Sequence, residues 1–136
     1  MNRQMAAAAI EAAIGESENI NVKMCITIVD VGANLVAFVR MDDAFLGSVD
    51  ISIKKAKTAT MFDRPTGELG TLSQPGEPLY NIEHSNQGLI TFPGGLPIHN
   101  SAGKVIGGIG VSGDTVTNDH KVAEAGWKAA KQQKGV

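Results

Sequence analysis

Apolar and polar positions along the chain follow two periods, and each marks an element. From Arg3 to Ile14, Ala6, Ala9, Ile10, Ala13 and Ile14 fall on one broad face of a 100° wheel. That spacing predicts a helix, with Gly15 as its stop. Lys23–Val31 is apolar or β-branched on both faces: Met24, Ile26 and Ile28 on one, Cys25, Thr27, Val29 and Val31 on the other. Such a strand needs cover on both sides. Gly32-Ala33-Asn34 reads as a tight turn, and Leu35–Arg40 returns as the second strand of a hairpin. After a connection carrying Asp42 and Asp43, Ser48 reads as the N-cap of a helix reaching about Met61. Its core stripe is Val49, Ile53, Ala56 and Thr60. Lys54, Lys55 and Lys57 lie away from that stripe, with Asp50 supporting Lys54 at i+4.

Periodicity then fades. Pro65 breaks the pattern, Thr66 caps a short helical turn, and Gly67–Gln87 is irregular, anchored by Leu69, Leu72, Leu79, Tyr80 and Ile82. The stretch Gln87–Gly113 reads as two or three strands joined by glycine-rich turns. In it Leu96–Asn100 returns through Ser101-Ala102-Gly103 into a central strand, Lys104–Ser112. Gly107, Gly108 and Gly110 break the run Val105, Ile106, Ile109 and Val111, and so admit a helix or a second backbone close to the sheet. A last helix spans about Thr117–Gln133. Its inner arc is Val122, Ala123, Gly126, Ala129 and Ala130, with Trp127 at the edge, either partly buried or placed in a subunit contact. The order α-β-β-α-(irregular)-β-β-β-α predicts an α/β fold with an antiparallel sheet of about five strands and helices on both faces.

Composition narrows the function. At 136 residues the chain reads as one domain over 1–136, able to bury roughly two-thirds of its unfolded surface. Net charge is −2 and aromatics make up 4%, with no basic run, so neither a nucleic acid nor an anionic membrane is an expected partner. No apolar run approaches the ~20 residues of a membrane span, and no signal peptide is visible, so the expected location is the cytoplasm. Cys25, the single cysteine, excludes an internal disulfide and a cysteine-built metal site, and reads as a small buried hydrophobe.

Chemistry-bearing motifs are sparse. Gly108-Ile109-Gly110-Val111-Ser112-Gly113 matches G-x-G-x-x-G. Its first glycines lie inside a strand, however, and the chain ends before a second strand could supply the acidic ribose ligand, so a dinucleotide site is not expected. His84, His99 and His120 are too scattered for a metal site, although one of them could serve as an axial haem ligand. His84 draws attention because it precedes the Pro93-Gly94-Gly95 loop, whose glycines permit positive φ and expose N–H groups. Arg40, Asp42, Asp43, Lys54 and Lys57 read as a cluster that either binds a small carboxylate or forms a solvated ion-pair network.

Together these residues resemble the GlcG/HbpS-like family. Ile28-Val29-Asp30, Gly32 and Leu35–Asp42 are similar to its "VVD-GG-LVAF-RMD" block. Ser48, Asp50, Ile51, Lys54, Lys55, Ala56, Thr58 and Ala59 resemble "S-DI-KKA-TA", and Pro65-Thr66 with Leu69 resembles "PT--L". Pro93–Ile98 resembles "GGG-PI", Val105–Gly113 "VIGAIGVSG", and Asp119, Val122, Ala123 and Gly126 "D--VA-AG". Pro93 replaces the first glycine of the usual triplet, and Ala33 the second glycine of the first turn. The resemblance implies a profilin-like three-layer α/β/α sandwich and a homo-oligomer, a dimer or larger. It also implies roles ranging from haem binding to accessory functions, and it transfers no haem ligand to a particular histidine.

The resulting expectation is an oligomeric small-molecule-binding accessory or sensor protein, not an enzyme, with haem as a candidate cofactor and no metal site. Its ligand site is placed at Arg40, Asp42, Lys54, Thr58, Gly94 and Gly95, with Ser112 and Gly113 beside them. Arg40 and Lys54 would hold an anionic group, and Gly95→Val would abolish binding with the fold retained. Two alternatives stand beside it. One is an enzyme acting on a small hydroxyacid, diol or aldehyde through Asp42 and Lys54, and the other is an assembly protein without a ligand.

Overall fold

A computed structural model describes residues 1–133. Four helices and four strands occur in the order α1 (Arg3–Asn19), β1 (Cys25–Asp30), β2 (Leu35–Arg40), α2 (Gly47–Phe62), α3 (Thr66–Leu72), β3 (Gly95–His99), β4 (Val105–Ser112) and α4 (Val116–Lys131). A 3-10 turn at Ile82–His84 interrupts the long connection before β3. The sheet is antiparallel, in the order β2-β1-β4-β3. α1 and α4 pair on one face and α2 covers the other, so helices lie on both sides as expected.

The sheet has four strands, not about five. The missing one was expected in the segment before Gly95. There the backbone is taken up by side chains of the helices: Ile90 N–H donates to Thr58 Oγ1, and Phe92 C=O accepts from Thr66 Oγ1.

β1 shows the alternation that two-sided cover requires. Met24, Ile26 and Ile28 enter the core beneath α1 and α4, while Thr27 Oγ1 meets Ser52 Oγ of α2 at 2.9 Å. Val31, expected on the covered face, lies past the strand end and is 66% exposed. The glycines of β4 have the expected purpose. A Cβ on Gly110 would run into the backbone of Ser52 and Ala56, so α2 sits directly on the strand.

Three helix assignments differ from the pattern. α1 continues through Gly15 to Asn19, because Gly15 is on an open side and Ser17, buried, extends the inner face. α2 begins at Gly47 with no side-chain cap, so Ser48 is inside the helix and does not cap it. Thr66 likewise lies inside α3, behind Pro65. The buried face of α2 is also rotated: Ala56 and Thr60 are buried as expected, Val49 and Ile53 only half-buried, and Lys55 is completely enclosed.

Candidate functional site

The enclosed lysine sets the geometry of one end of the molecule. Lys55 Nζ donates to the Val111 carbonyl at 2.8 Å and to Asp119 Oδ2 at 2.9 Å, and stands 5.0 Å from the centre of the Phe92 ring. Asp119 Oδ1 accepts from Asp114 N–H at 3.0 Å. Burial pushes the Lys55 ammonium's pKa down and the Asp119 carboxyl's pKa up, and their mutual attraction opposes both shifts. The pair ties α2, β4 and the start of α4 together, and packs against Gly94, where a Cβ would lie 2.5 Å from Nζ.

Two clefts lie near this pair, one lined by Pro93 and Thr117 and the other by Phe92, Val116 and Asp119. The first, of about 420 Å³, is lined by Pro65, Gly67, Glu68, Pro93, Thr117 and His120. His120 projects from the first turns of α4, with Nε2 3.4 Å from Glu124 Oε1. The second cleft, of about 510 Å³, has Phe45, Ile51, Phe92 and Val116 as apolar walls. Ser48, Ser112, Asp114, Thr115 and Asp119 supply its polar groups.

The expected site residues do not converge on one place. Ser112 and Gly113 line the second cleft. Arg40 donates through Nε and Nη2 to the Ala44 carbonyl and shares a groove beside α1 with Asp42, Glu18 and Lys23. Lys54 is on α2, across the sheet from α1, paired with Asp50 at 3.0 Å. Thr58 donates to Lys54 C=O and accepts from Ile90 N–H. Gly94 C=O accepts from Val111 N–H, and Gly95 N–H donates to Thr66 Oγ1, so the Gly95 N–H is spent inside the fold. A Cβ on Gly95 would lie 2.5 Å from Lys55 O and 2.6 Å from Thr66 Cγ2, so Gly95→Val would disturb packing before it tested a ligand.

The histidines separate as well. His84 is exposed on the 3-10 turn, and His99 meets Asp63 at 2.6 Å on the edge strand. His120 is the one in a cleft wall. Cys25 is enclosed, and burial raises its thiol pKa against the pull of Arg40, as suits a packing residue. Among the described residues no cluster of His, Cys, Asp and Glu is suited to a metal ion, and no helix is long and apolar enough to cross a membrane.

Sequence reasoning did not single out Phe45, Ser48, Lys55, Phe92 or Asp119 around these clefts, and it named His120 only as one of three histidines that could hold haem. Lys55 and Asp119 both lie in blocks that resemble the family, which was the available signal. Their contact spans 64 positions and no local pattern reports it.

This three-layer sandwich with its glycine-lined central strand is the architecture of the HbpS-like proteins. The chain belongs to that family: the model of the family described as "Haem degrading protein HbpS-like" matches residues 1–128. It is 45% identical over 119 residues to the 15.0 kDa protein of the dhaT-dhaS intergenic region of Citrobacter freundii, covering 87% of this chain and 81% of that one. Among solved structures it is similar to the Klebsiella pneumoniae protein ORFY, with a TM-score of 0.95 and 35% identity over 98% of this chain and 92% of that one. It is also similar to the PduOC:heme complex, with a TM-score of 0.90 and 32% identity over 95% and 94% of the two chains.

Proposed function

We propose that the chain is a haem-binding accessory or sensor protein, and that haem seats in the cleft between Pro65, Pro93 and the start of α4. The observation that carries this is His120, the histidine set into a cleft wall beside two prolines. The cleft suits the group in two respects. Pro65 and Pro93 offer apolar contact beside the side-chain-free Gly67, and the His120 imidazole offers a nitrogen of the kind that holds haem iron. Haem bound there would supply a redox-active iron. The chain's own residues do the positioning. His120 is fixed on α4, Glu124 faces its Nε2, and Thr66 holds the Pro93–Gly95 loop through Phe92 C=O and Gly95 N–H. The likeness to a haem-complexed structure supports haem as the ligand.

The protein is further proposed to act as a homo-oligomer. Leu46 is 72% exposed, and a large apolar side chain in that position favours cover by another surface. Hemin titration of the purified protein tests the ligand: a saturable Soret shift near one haem per chain supports it, and a featureless titration defeats it. A native mass spectrum of the same sample gives the subunit count.

A further inference from the structure

The second cleft differs from the first in its chemistry. Ser48 and Ser112 are only 6% and 5% exposed, and both line it. Ser48 comes from the first turn of α2 and Ser112 from the end of β4. Neither hydroxyl has a hydrogen-bond partner among the described residues, yet no fully enclosed side-chain oxygen or nitrogen is left unpaired there. Both hydroxyls therefore open onto the cleft, where only a bound molecule or water can satisfy them. Asp114 and Asp119 stand at the same place, and no cation is among the lining residues. Lys55, the cation beneath, is enclosed and committed to Val111 C=O and Asp119.

Walls of Phe45, Ile51, Phe92 and Val116 with two free hydroxyls describe an amphipathic ligand, and the Asp114 carboxylate, with no free cation among the lining residues, disfavours an anion. We infer that this cleft is a second binding site, for a small neutral molecule with an apolar body and one or two hydroxyl groups, held by Ser48 and Ser112. What separates this cleft from the first is its pair of buried hydroxyls and the absence of a histidine from its lining. The aromatic walls favour a ring as the apolar body, because Phe45 and Phe92 offer faces for stacking.

Benzyl alcohol, benzoate and toluene share one ring and differ in the group that tests the idea. The ¹⁵N-labelled full chain is titrated with each, and amide shifts of Ser112–Val116 are followed. Benzyl alcohol is expected to saturate those shifts, with benzoate and toluene each about tenfold weaker, the scale of one or two neutral hydrogen bonds. In Ser48→Ala/Ser112→Ala, benzyl alcohol should fall to the level of toluene, while toluene affinity, circular dichroism and the hemin titration stay as in the wild type. Benzoate binding as tightly as the alcohol would overturn the proposal, as would a double variant with undiminished alcohol affinity. The hemin titration reports separately on the other cleft, so one reading can fail without the other.

Discussion

Lys55 and Asp119, 64 positions apart in the chain, meet as an ion pair of 2.9 Å whose members are 0% and 2% exposed. Removing two charges from water costs several kcal/mol per ion, which the attraction between them only partly offsets. The opposed directions of their pKa shifts express that balance.

Breaking the pair from one side should therefore be severe. Lys55→Met leaves Asp119 buried without its cation, and urea denaturation should show a loss of about 3–5 kcal/mol. Lys55→Met/Asp119→Leu should recover most or all of it, because the apolar pair has no charge to desolvate. A double variant as unstable as the single one would mean that the pair holds the fold by a contact the apolar side chains cannot replace.

Gly95 gives a second test of packing. Even a methyl group there meets Lys55 O and Thr66 Cγ2, at the point where β3 passes beneath α2 and α3. Gly95→Ala should lower stability by about 1–3 kcal/mol, the usual range for overpacking, and thermal unfolding followed by circular dichroism reads it. An unchanged midpoint would show that β3 can shift to make room.

Acid sensitivity should trace in part to the first hairpin. Asp30 accepts N–H bonds from Asn34 and Gly32, which hold its carboxyl below the ordinary range. A carboxylate whose folded pKa is lowered contributes stability that is present in full above its unfolded value and is lost as pH falls through its folded value. The stability difference between wild type and Asp30→Asn should thus be constant above pH ~4 and shrink below it. A difference that stays flat into acid would exclude this charge as the source.

These relationships also show what the sequence could disclose. The Leu35–Arg40 strand and the glycine-broken strand from Val105 were legible because each is built from side chains suited to one local environment. α2 was misread in rotation for a physical reason. A lysine counts as polar in any hydropathy pattern, and only the distant Asp119 makes the burial of Lys55 tolerable. The expected site residues fall in separate places for a related reason. Arg40, Asp42 and Lys54 are close in sequence, yet the sheet stands between Asp42 beside α1 and Lys54 on α2. Ser112 and Gly113, which line a cleft, were legible because the end of a central strand leads into a helix start, a local feature. The clefts depend on Phe45, Phe92 and His120, which long-range folding brings to one end. Trp127 stood between two readings. It is half-buried, and its Nε1 donates to Pro97 C=O at 3.0 Å, which gives it a place within the fold.

The most direct test of the central claim is hemin affinity, read from the Soret band, in wild type, His120→Ala and His84→Ala side by side. Haem held by His120 in the proline-walled cleft predicts a histidine-type Soret band in wild type and His84→Ala, and its loss with at least about tenfold weaker binding in His120→Ala. An unchanged band and affinity in a folded His120→Ala protein would contradict the account and move the haem site elsewhere.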